Sequence, residues 1–167
     1  MTAPFHIEPL SKQHDRSGFA SGEDALDRYF QAQVTQDIRR RVANVKTETQ
    51  RIAGYYTLAS ASIPTSELPA AEARRLPRYP TIPAVRIGRL AVDRRFHGRG
   101  LGTSLLADAA MKSLSVAPAA FALLIDAKNE QAAAFYRHHG FQEFPSLPGT
   151  LFLPLAAAQK ALLNSFG

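Results

Sequence analysis

The residues best suited to chemistry lie in a glycine-rich turn between two apolar segments. Residues 84–92 predict a strand, and residues 102–114 predict a helix with an apolar stripe at Leu105, Leu106, Ala109 and Ala110. Between them stand three glycines, Gly98, Gly100 and Gly102. Glycine allows positive φ and close approach of the backbone to a ligand. Since the first N–H groups of a helix bind anions, the turn predicts a site for phosphate.

Two common nucleotide-binding patterns do not fit this turn. A dinucleotide fingerprint that begins at Gly98 needs glycine at position 103, which is Thr103. One that begins at Gly100 needs glycine at position 105, which is Leu105. The NTPase phosphate loop needs Gly-Lys-Ser/Thr, and the sequence has no such tripeptide. Taken alone, the glycines are also compatible with a tight connection that binds nothing.

Arginines surround the turn. The chain carries a formal net charge of +6, and 15 of its 20 basic residues are arginine. From Arg74 to Arg99 there are eight arginines and one acid, Asp93. Arginine binds phosphate through a planar two-pronged contact, which lysine does not offer. The cluster therefore favours a polyanionic partner, a nucleotide or a nucleic acid, over a merely solvated basic surface.

Alternating strands and helices are predicted to position these residues. Strands are predicted at residues 5–10, 42–45, 51–63, 84–92, 120–125 and 150–153. Helices are predicted from Ser21 to the triplet Arg39–Arg41, near 70–75, and at 102–114, 130–139 and 156–163. Asn129 is a plausible helix cap and Gly140 a helix stop. The pattern indicates a mixed α/β sheet, in which the strand at 42–45 is unusually short.

Composition limits the class of protein. The chain has 167 residues, 46% hydrophobic and 20% charged, as in an ordinary globular domain and unlike a disordered chain. Without cysteine there is no disulfide, no thiol nucleophile and no cysteine-based zinc site. The longest apolar run, residues 119–125, is too short to cross a bilayer. With no visible secretory signal, we expect a cytoplasmic protein that binds neither membrane nor metal.

Two stretches together resemble the GCN5-related N-acetyltransferases. They are the run from Leu90 to Gly102 with the helix that follows, and Asn-x-x-Ala-x-x-Phe-Tyr-x-x-x-Gly-Phe from Asn129 to Phe141. In that family, [Gln/Arg]-x-x-Gly-x-[Gly/Ala] wraps the pyrophosphate of acetyl-CoA, and it maps here to His97-x-x-Gly100-x-Gly102. The resemblance implies one α/β (α+β) domain over residues 1–167, with its core at about 5–155. It also implies a mixed, mostly antiparallel central sheet flanked by helices, with a splayed strand at the acetyl-CoA site.

Further segments resemble one branch of the family, the acetyltransferase toxins of bacterial toxin–antitoxin pairs. They are Ser21–Phe30, Gly54–Leu58, Gly88–Asp93, Phe135–Tyr136 and the proline-rich arginine loop. That branch acetylates the amino acid carried by aminoacyl-tRNA and is neutralised by a ribbon–helix–helix antitoxin. The resemblance therefore implies an acetyl-CoA-dependent N-acetyltransferase that blocks translation, with aminoacyl-tRNA and an antitoxin as partners. It also implies a homodimer.

The resemblance assigns roles to particular residues. Those expected to bind acetyl-CoA are Leu90, Ala91, Val92, His97, Gly98, Arg99, Gly100, Leu101, Gly102, Thr103 and Asn129. His97 departs from the usual Gln or Arg, so binding should rest mainly on backbone amides. Asn129 could contact the pantetheine arm, cap its helix, or do both. Tyr136 is the implied general acid, although its periodicity alone fits an aromatic core residue beside Phe135.

The acceptor side is expected to be basic. Candidate tRNA-binding residues are Arg74, Arg75, Arg78, Arg86 and Arg89, with Arg39 and Arg40 as a second patch. Arg94, Arg95 and Arg99 would instead serve coenzyme A phosphates or remain solvated. Phosphate contacts supply affinity and salt dependence without reading a sequence. No general base is identifiable, and the weakly basic amine of an aminoacyl ester does not require one.

Two alternatives stay open. The same fold could acetylate a small amine or a protein amino group, although acids would then be expected near the acceptor, and the arginine loop has few. The chain could also be a catalytically impaired homologue, because the predicted strand at 42–45 passes almost at once into the polar segment 46–50.

Overall fold

The structure is a computed structural model that describes residues 6–9, 16, 18–33, 41–46, 52–116 and 120–166. Seven strands lie in this part of the chain: β1 (His6–Pro9), β2 (Arg41–Lys46), β3 (Ile52–Pro64), β4 (Thr81–Val92), β5 (Ala122–Asp126), β6 (Gln142–Phe144) and β7 (Leu147–Pro154). The α-helices described there are α1 (Asp24–Arg28), α2 (Ala70–Ala73), α3 (Leu101–Val116), α4 (Glu130–His138) and α5 (Leu155–Phe166). None of these helices is long and apolar enough to cross a membrane.

The chain packs into two compact units. The first consists of Met1–Ala59 and Ile87–Ala109, and the second of Ser60–Arg86 and Ala110–Gly167. Strands β3 and β4 and helix α3 each contribute residues to both units. The expectation of a single domain over residues 1–167 stays a prediction.

In the first unit the strand order is β1-β2-β3-β4. Strand β2 pairs antiparallel with β1 and with β3, from Arg41 opposite Leu58 to Lys46 opposite Ile52. Aromatic rings fill the core beside this sheet, and the rings of Phe30 and Tyr55 stack with centroids 4.3 Å apart. The Tyr55 hydroxyl is satisfied because it donates to the carbonyl of Leu26 at 2.7 Å.

In the second unit the order from the first half of β4 onward is β4-β5-β7-β6. Strand β7 pairs antiparallel with both β5 and β6. Phe144 and Phe152 pack with ring centroids 4.8 Å apart in a core that also contains Ile63, Ile82 and Leu124. The predicted α/β fold with a mostly antiparallel sheet and flanking helices is confirmed. The predicted splay of a strand stays a prediction.

The long first helix was predicted incorrectly. Helix α1 begins only at Asp24, and a π-helical turn, Tyr29–Gln33, follows it directly. The Asp27 carboxylate accepts hydrogen bonds from the amide and the hydroxyl of Ser21, so Ser21 precedes the helix. Arg41 opens β2 and does not end a helix. Residues 34–40, where the rest of that helix was predicted, lie outside the described residues.

Strand limits also differ from the expectations. Strand β2 has six residues, Arg41–Lys46, and pairs on both sides, so it is longer than the predicted 42–45. Strand β4 begins at Thr81, three residues before the predicted start, and the carbonyl of Pro83 accepts from the amide of Phe121 at 2.8 Å. Strand β6 was not predicted, and the last strand begins at Leu147, earlier than the predicted 150, so that residues 142–154 form a hairpin.

Candidate functional site

The predicted glycine turn connects β4 to α3. Strand β4 ends at Val92, a 3₁₀ turn covers Arg94–Phe96, and α3 begins at Leu101. Gly98 and Gly100 adopt positive φ angles of 77° and 76°. A Cβ built on either would meet no atom within 4 Å, so the space in front of both glycines is open. The turn thus needs glycine for its backbone conformation and leaves room for a ligand.

The start of α3 supplies the anion-binding groups. The amide of Ser104 donates to the carbonyl of Gly100 at 3.1 Å, which is the first hydrogen bond of the helix. The N–H groups before it have no partner within the helix, and the helix dipole places partial positive charge there. Leu105 and Ala109 are fully buried and fix the helix against its unit. Exposed residues 97–100 therefore stand beside amides that suit the pyrophosphate of acetyl-CoA.

The end of β4 lies very close to β3. Ala91 is buried, and the amide of Asp93 donates to the carbonyl of Ala53 at 2.7 Å. A Cβ at Gly54 would lie 2.9 Å from the Ala91 carbonyl oxygen and 3.1 Å from Cδ1 of Leu105. Gly54 is therefore required for the close approach of these strands, which positions the predicted residues Leu90, Ala91 and Val92.

Asp93 is the best-connected polar side chain of the turn, and sequence reasoning missed its role. It is only 1% exposed, and its carboxylate accepts from the amide, Nε and Nη2 of Arg95, each at 2.9 Å. The amide of Ala20 donates to the same carboxylate at 3.1 Å. Burial raises the pKa of Asp93, but these hydrogen bonds outweigh burial and hold the pKa at about 2. Arg95 is thus engaged by Asp93 while its side chain stays 45% exposed, and the sequence did not predict this ion pair.

His97 contacts the protein backbone. Its Nε2 lies 2.8 Å from the carbonyl oxygen of Val92, and since a carbonyl only accepts, Nε2 is the donor. The imidazole therefore joins the turn to the last residue of β4. This contact gives a structural role to the residue that departs from the family's Gln or Arg.

Helix α4 positions Tyr136. The Asn129 side-chain oxygen accepts from the amide of Ala132 at 2.8 Å, so the predicted cap is confirmed, and the side-chain NH₂ stays available to a ligand. Arg137 forms ion pairs with Glu130 on the same helix and with Glu143 on β6. Gly140, with φ 93°, ends the helix as predicted.

The Tyr136 side chain is 7% exposed and lies between the rings of Phe135 and Phe141, with centroids 5.4 and 5.5 Å away. Its hydroxyl forms no hydrogen bond with any residue that the structure describes. Burial raises the pKa of Tyr136 to about 12, because the phenolate would be poorly solvated. The phenol is therefore protonated at neutral pH and chemically able to donate a proton.

The candidate tRNA-binding arginines differ in their surroundings. Arg74, Arg75 and Arg78 are exposed on the loop after α2. Arg86 forms a 2.7 Å ion pair with Asp126. The Arg89 guanidinium carbon lies 3.6 Å from the centroid of the Tyr29 ring, a contact that the sequence did not predict. Arg39 and Arg40 lie outside the described residues.

The described residues contain no cluster of side chains that could bind a metal ion. Within that part of the chain, no three or more histidine, aspartate or glutamate side chains lie close enough together to hold a metal ion. The first unit contains the backbone amides at the start of α3, and the second contains the buried phenol of Tyr136 and the exposed Arg74, Arg75 and Arg78.

Among curated proteins, the chain is similar to toxins. It is 34% identical to a tRNA-acetylating toxin of Mycobacterium tuberculosis over 90% of this chain and 92% of that protein. It is 29% identical to the probable toxin TacT of Sinorhizobium fredii over 93% of this chain and 94% of that protein.

Among solved structures, the chain is similar to the same class. A tyrosine-to-phenylalanine mutant of KacT matches with a TM-score of 0.86 and 27% identity, over 95% of this chain and 99% of that one. AtaT complexed with acetyl-methionyl-tRNAfMet matches with a TM-score of 0.86 and 29% identity over the same shares. A tyrosine-to-phenylalanine mutant of AtaT, bound to acetyl-CoA and the C-terminus of the antitoxin AtaR, matches with a TM-score of 0.77. Its identity is 27%, over 96% of this chain and 99% of that one.

The family match agrees with these similarities. Residues 42–143, more than half of the chain, match the acetyltransferase (GNAT) domain. This range includes β3, β4, the glycine turn, α3 and α4. The chain belongs to the GNAT family of acetyltransferases.

Proposed function

We propose that this chain transfers the acetyl group of acetyl-CoA to the α-amino group of aminoacyl-tRNA and so blocks translation as the toxin of a toxin–antitoxin pair. The similarity to AtaT, a structure that includes acetyl-methionyl-tRNAfMet, carries this proposal because it extends over 95% of the chain. Similarity to the tRNA-acetylating toxin supports the same reaction.

Acetyl-CoA supplies a thioester that an amine can attack. The open space before Gly98 and Gly100 and the start of α3 suit its pyrophosphate. Residues Leu90 to Val92 at the end of β4, the turn from His97 to Thr103, and Asn129 would bind the remainder. The free NH₂ of Asn129 is compatible with a contact to the pantetheine arm while its oxygen caps α4.

In the proposed reaction, the amine nitrogen attacks the thioester carbon and the C–N bond forms. Backbone amides at the end of β4 would stabilise the oxyanion, and one such donor is worth about 10²–10³ in rate. The C–S bond then breaks, and the departing thiolate takes the proton of the Tyr136 hydroxyl. The amine releases its surplus proton to water, and the Tyr136 phenolate takes a proton back from water, which restores the acid. The protonated state of Tyr136, whose pKa is about 12, supports this role.

The negative charge of the proposed acceptor, aminoacyl-tRNA, is complementary to the positive charge of the loop after α2. Arg74, Arg75 and Arg78 are exposed and could contact the tRNA backbone, and Arg89 presents its guanidinium edge while its face covers Tyr29. Arg86 would have to exchange Asp126 for phosphate. A small-amine substrate gives no physical reason for such a loop.

The proposal is tested by incubating the purified protein with labelled acetyl-CoA and a total pool of charged tRNA. We expect label in the tRNA fraction, and none when the tRNA is uncharged, because only the aminoacyl group offers an α-amine. Sequencing the labelled tRNA then identifies the acceptor.

Two other outcomes would contradict the proposal. Acetyl-CoA binding without label on tRNA, but with transfer to a small amine or a protein, would indicate a different acceptor. Acetyl-CoA binding without transfer to any of these would indicate an impaired homologue. The pairing of β2 with both β1 and β3 favours an active enzyme over an impaired homologue.

We also propose that the protein works in the cytoplasm as a homodimer and is neutralised by a ribbon–helix–helix antitoxin. The complex of AtaT with the C-terminus of AtaR supports an antitoxin partner. Light scattering of the purified chain tests the dimer, and a mass of about 18 kDa, the monomer value, would contradict it.

A further inference from the structure

The loop between α2 and β4 carries an aromatic ring that the acetyl transfer does not use. The Tyr79 residue is 64% exposed, more than any other large hydrophobic residue in the described part of the chain. The ring makes no contact with another aromatic ring or with a guanidinium group of those residues. An isolated, exposed tyrosine of this kind is available to a partner.

The backbone that presents this ring is held firmly. The Thr65 hydroxyl donates to the carbonyl of Tyr79 at 2.8 Å, and the Thr65 amide donates to the carbonyl of Pro80 at 3.0 Å. The Tyr79 amide donates to Pro77 at 2.8 Å, and both prolines restrict φ. Leu76 packs against the core of the second unit. Because the backbone is ordered beforehand, stacking on the ring would cost little conformational entropy.

The charged residues that flank Tyr79 in the sequence, from residue 74 to residue 81, are all of one sign. Arg74, Arg75 and Arg78 are exposed, and none of their guanidinium groups is paired with an acid in the described chain. The segment from residue 74 to residue 81 contains no aspartate or glutamate. A stacking surface bordered by unpaired cations is how proteins bind single-stranded nucleic acid, with cations on phosphates and rings on bases.

We propose that Tyr79 stacks on an unpaired nucleobase of the RNA while the neighbouring arginines contact its phosphates. This inference rests on the proposed function and adds an aromatic stacking contact to the phosphate contacts proposed for the arginines. A protein partner fits less well, because protein interfaces have an apolar centre depleted of charge, whereas here one ring stands among three cations.

The test measures binding of fluorescently labelled single-stranded RNA and of total tRNA over a range of salt concentrations. Tyr79→Ala should weaken the binding of single-stranded RNA and of tRNA about 5- to 150-fold, the effect expected for one stacked base. For the Tyr79→Ala variant, the slope of log K for RNA binding against log salt concentration should equal that of the wild type, because no phosphate contact is lost. Tyr79→Phe keeps a stacking face and should bind within about twofold of the wild type.

Leu147→Ala is the matched control, because Leu147 is another exposed apolar residue of the second unit, 40% accessible. This variant should leave RNA binding unchanged. Thermal unfolding checks that every variant is folded. Unchanged binding of Tyr79→Ala would overturn the proposal, and so would a loss confined to an antitoxin or another acidic protein. A loss in Tyr79→Phe equal to that in Tyr79→Ala would also overturn it, since the hydroxyl would then be the binding group.

These results separate the inference from the function on which it rests. If the wild type acetylates charged tRNA and Tyr79→Ala binds RNA normally, the stacking contact is wrong and the function stands. If RNA binding depends on Tyr79 but no acetyl group reaches charged tRNA, the function is wrong and the stacking contact stands. If the wild type binds no RNA, both are wrong.

Discussion

Tyr136 and Asp93 are both buried, yet their pKa values move in opposite directions. The pKa of Tyr136 is raised, which keeps it protonated, and the pKa of Asp93 is lowered, which keeps it ionised. Burial raises the pKa of Tyr136 to about 12, so the phenol keeps the proton that a departing thiolate needs. Burial also raises the pKa of Asp93, but Arg95 and Ala20 donate to the carboxylate and bring the pKa to about 2. The difference comes from hydrogen-bond partners, which the described part of the chain supplies only to Asp93.

Replacing Tyr136 by phenylalanine should lower kcat about 10²- to 10⁴-fold, because the thiolate loses its acid. The acetyl-CoA Kd, measured by calorimetry, should stay nearly unchanged. With a pKa of about 12, Tyr136 should also cause no fall in wild-type kcat with rising pH below about pH 11. Tyr56→Phe is the control: it removes a buried hydroxyl that donates to Asp108, and should affect stability more than turnover. Equal turnover of Tyr136→Phe and the wild type would disprove the general-acid role.

Asp93→Asn should lower the free energy of unfolding at pH 7 by about 2 kcal/mol, as for hydrogen bonds to a charged group. The folded pKa, about 2, lies below the ordinary 3.8, so the stabilisation is complete above pH 3.8 and is lost as pH falls towards 2. Urea titrations should therefore show the difference between wild type and variant shrinking across that window. Asp126→Asn removes an exposed partner of Arg86 and should cost no more than about 1 kcal/mol. Equal losses for both variants would contradict the assignment.

At the level of secondary structure, the turn between β4 and α3 depends on glycine for two separable reasons. One is the positive φ of Gly98 and Gly100, and the other is the open space in front of them. The positive φ is a requirement of the folded backbone, whereas the open space is proposed to receive the ligand. A second glycine with similar φ, placed away from this turn, can separate the two effects.

Gly100→Ala should lower acetyl-CoA affinity about 10-fold or more, because its Cβ would occupy space meant for the pyrophosphate. Gly149→Ala is the matched variant, since Gly149 has φ 86° and lies at the start of the β7 hairpin strand. Both variants should lose about 1–2 kcal/mol of stability, because alanine is strained at positive φ. Calorimetry and thermal unfolding measure the two effects. The idea fails if Gly149→Ala weakens acetyl-CoA binding as much as Gly100→Ala does.

The elements themselves were predictable where periodicity is strong. Helices α3 and α4 and strand β3 follow closely from apolar spacing, and Asn129 and Gly140 mark the ends of α4 as expected. Prediction failed where hydrogen bonds between residues that lie outside one repeat of the apolar pattern decide the conformation. Strand β6 exists because it pairs with β7, and the start of α1 depends on the contact between Ser21 and Asp27.

For the whole molecule, net charge predicts affinity for a polyanion, but the structure divides the arginines into paired and unpaired ones. Arg86, Arg95 and Arg137 each contact a carboxylate. Arg74, Arg75 and Arg78 do not, within the described chain. We therefore expect the salt dependence of tRNA binding to come mainly from the unpaired group.

Replacing Arg74, Arg75 and Arg78 together by alanine should weaken tRNA binding. It should also reduce the slope of log K against log salt by about 2, since each lost phosphate contact contributes roughly 0.7–0.9. Acetyl-CoA affinity should stay the same. Arg137→Ala removes a cation that Glu130 and Glu143 already neutralise, and should leave the slope unchanged. If the triple variant keeps the wild-type slope, the loop does not contact the RNA backbone.

Local patterns were enough to identify the chemistry of this chain. The order of strand, glycine turn and helix, the residues Asn129 to Phe141, and the arginine cluster are all short-range features. Positive φ, helix capping and apolar periodicity depend on residues within a few positions of one another, so they can be read without a fold. The prediction of a phosphate-binding turn followed from them, and the resemblance that they carry gave the family and the candidate acid.

Tertiary structure decided which of these side chains are available. Asp93 contacts Ala20, Gly54 faces Ala91, Arg86 meets Asp126, and Arg89 covers Tyr29, all pairs more than 30 residues apart. Sequence spacing carries no record of such pairs, because burial and partner choice depend on how distant segments pack. Tyr79 is an example. The sequence shows only an aromatic residue in a loop, and the fold shows that its side chain is exposed and that its carbonyl is held by Thr65.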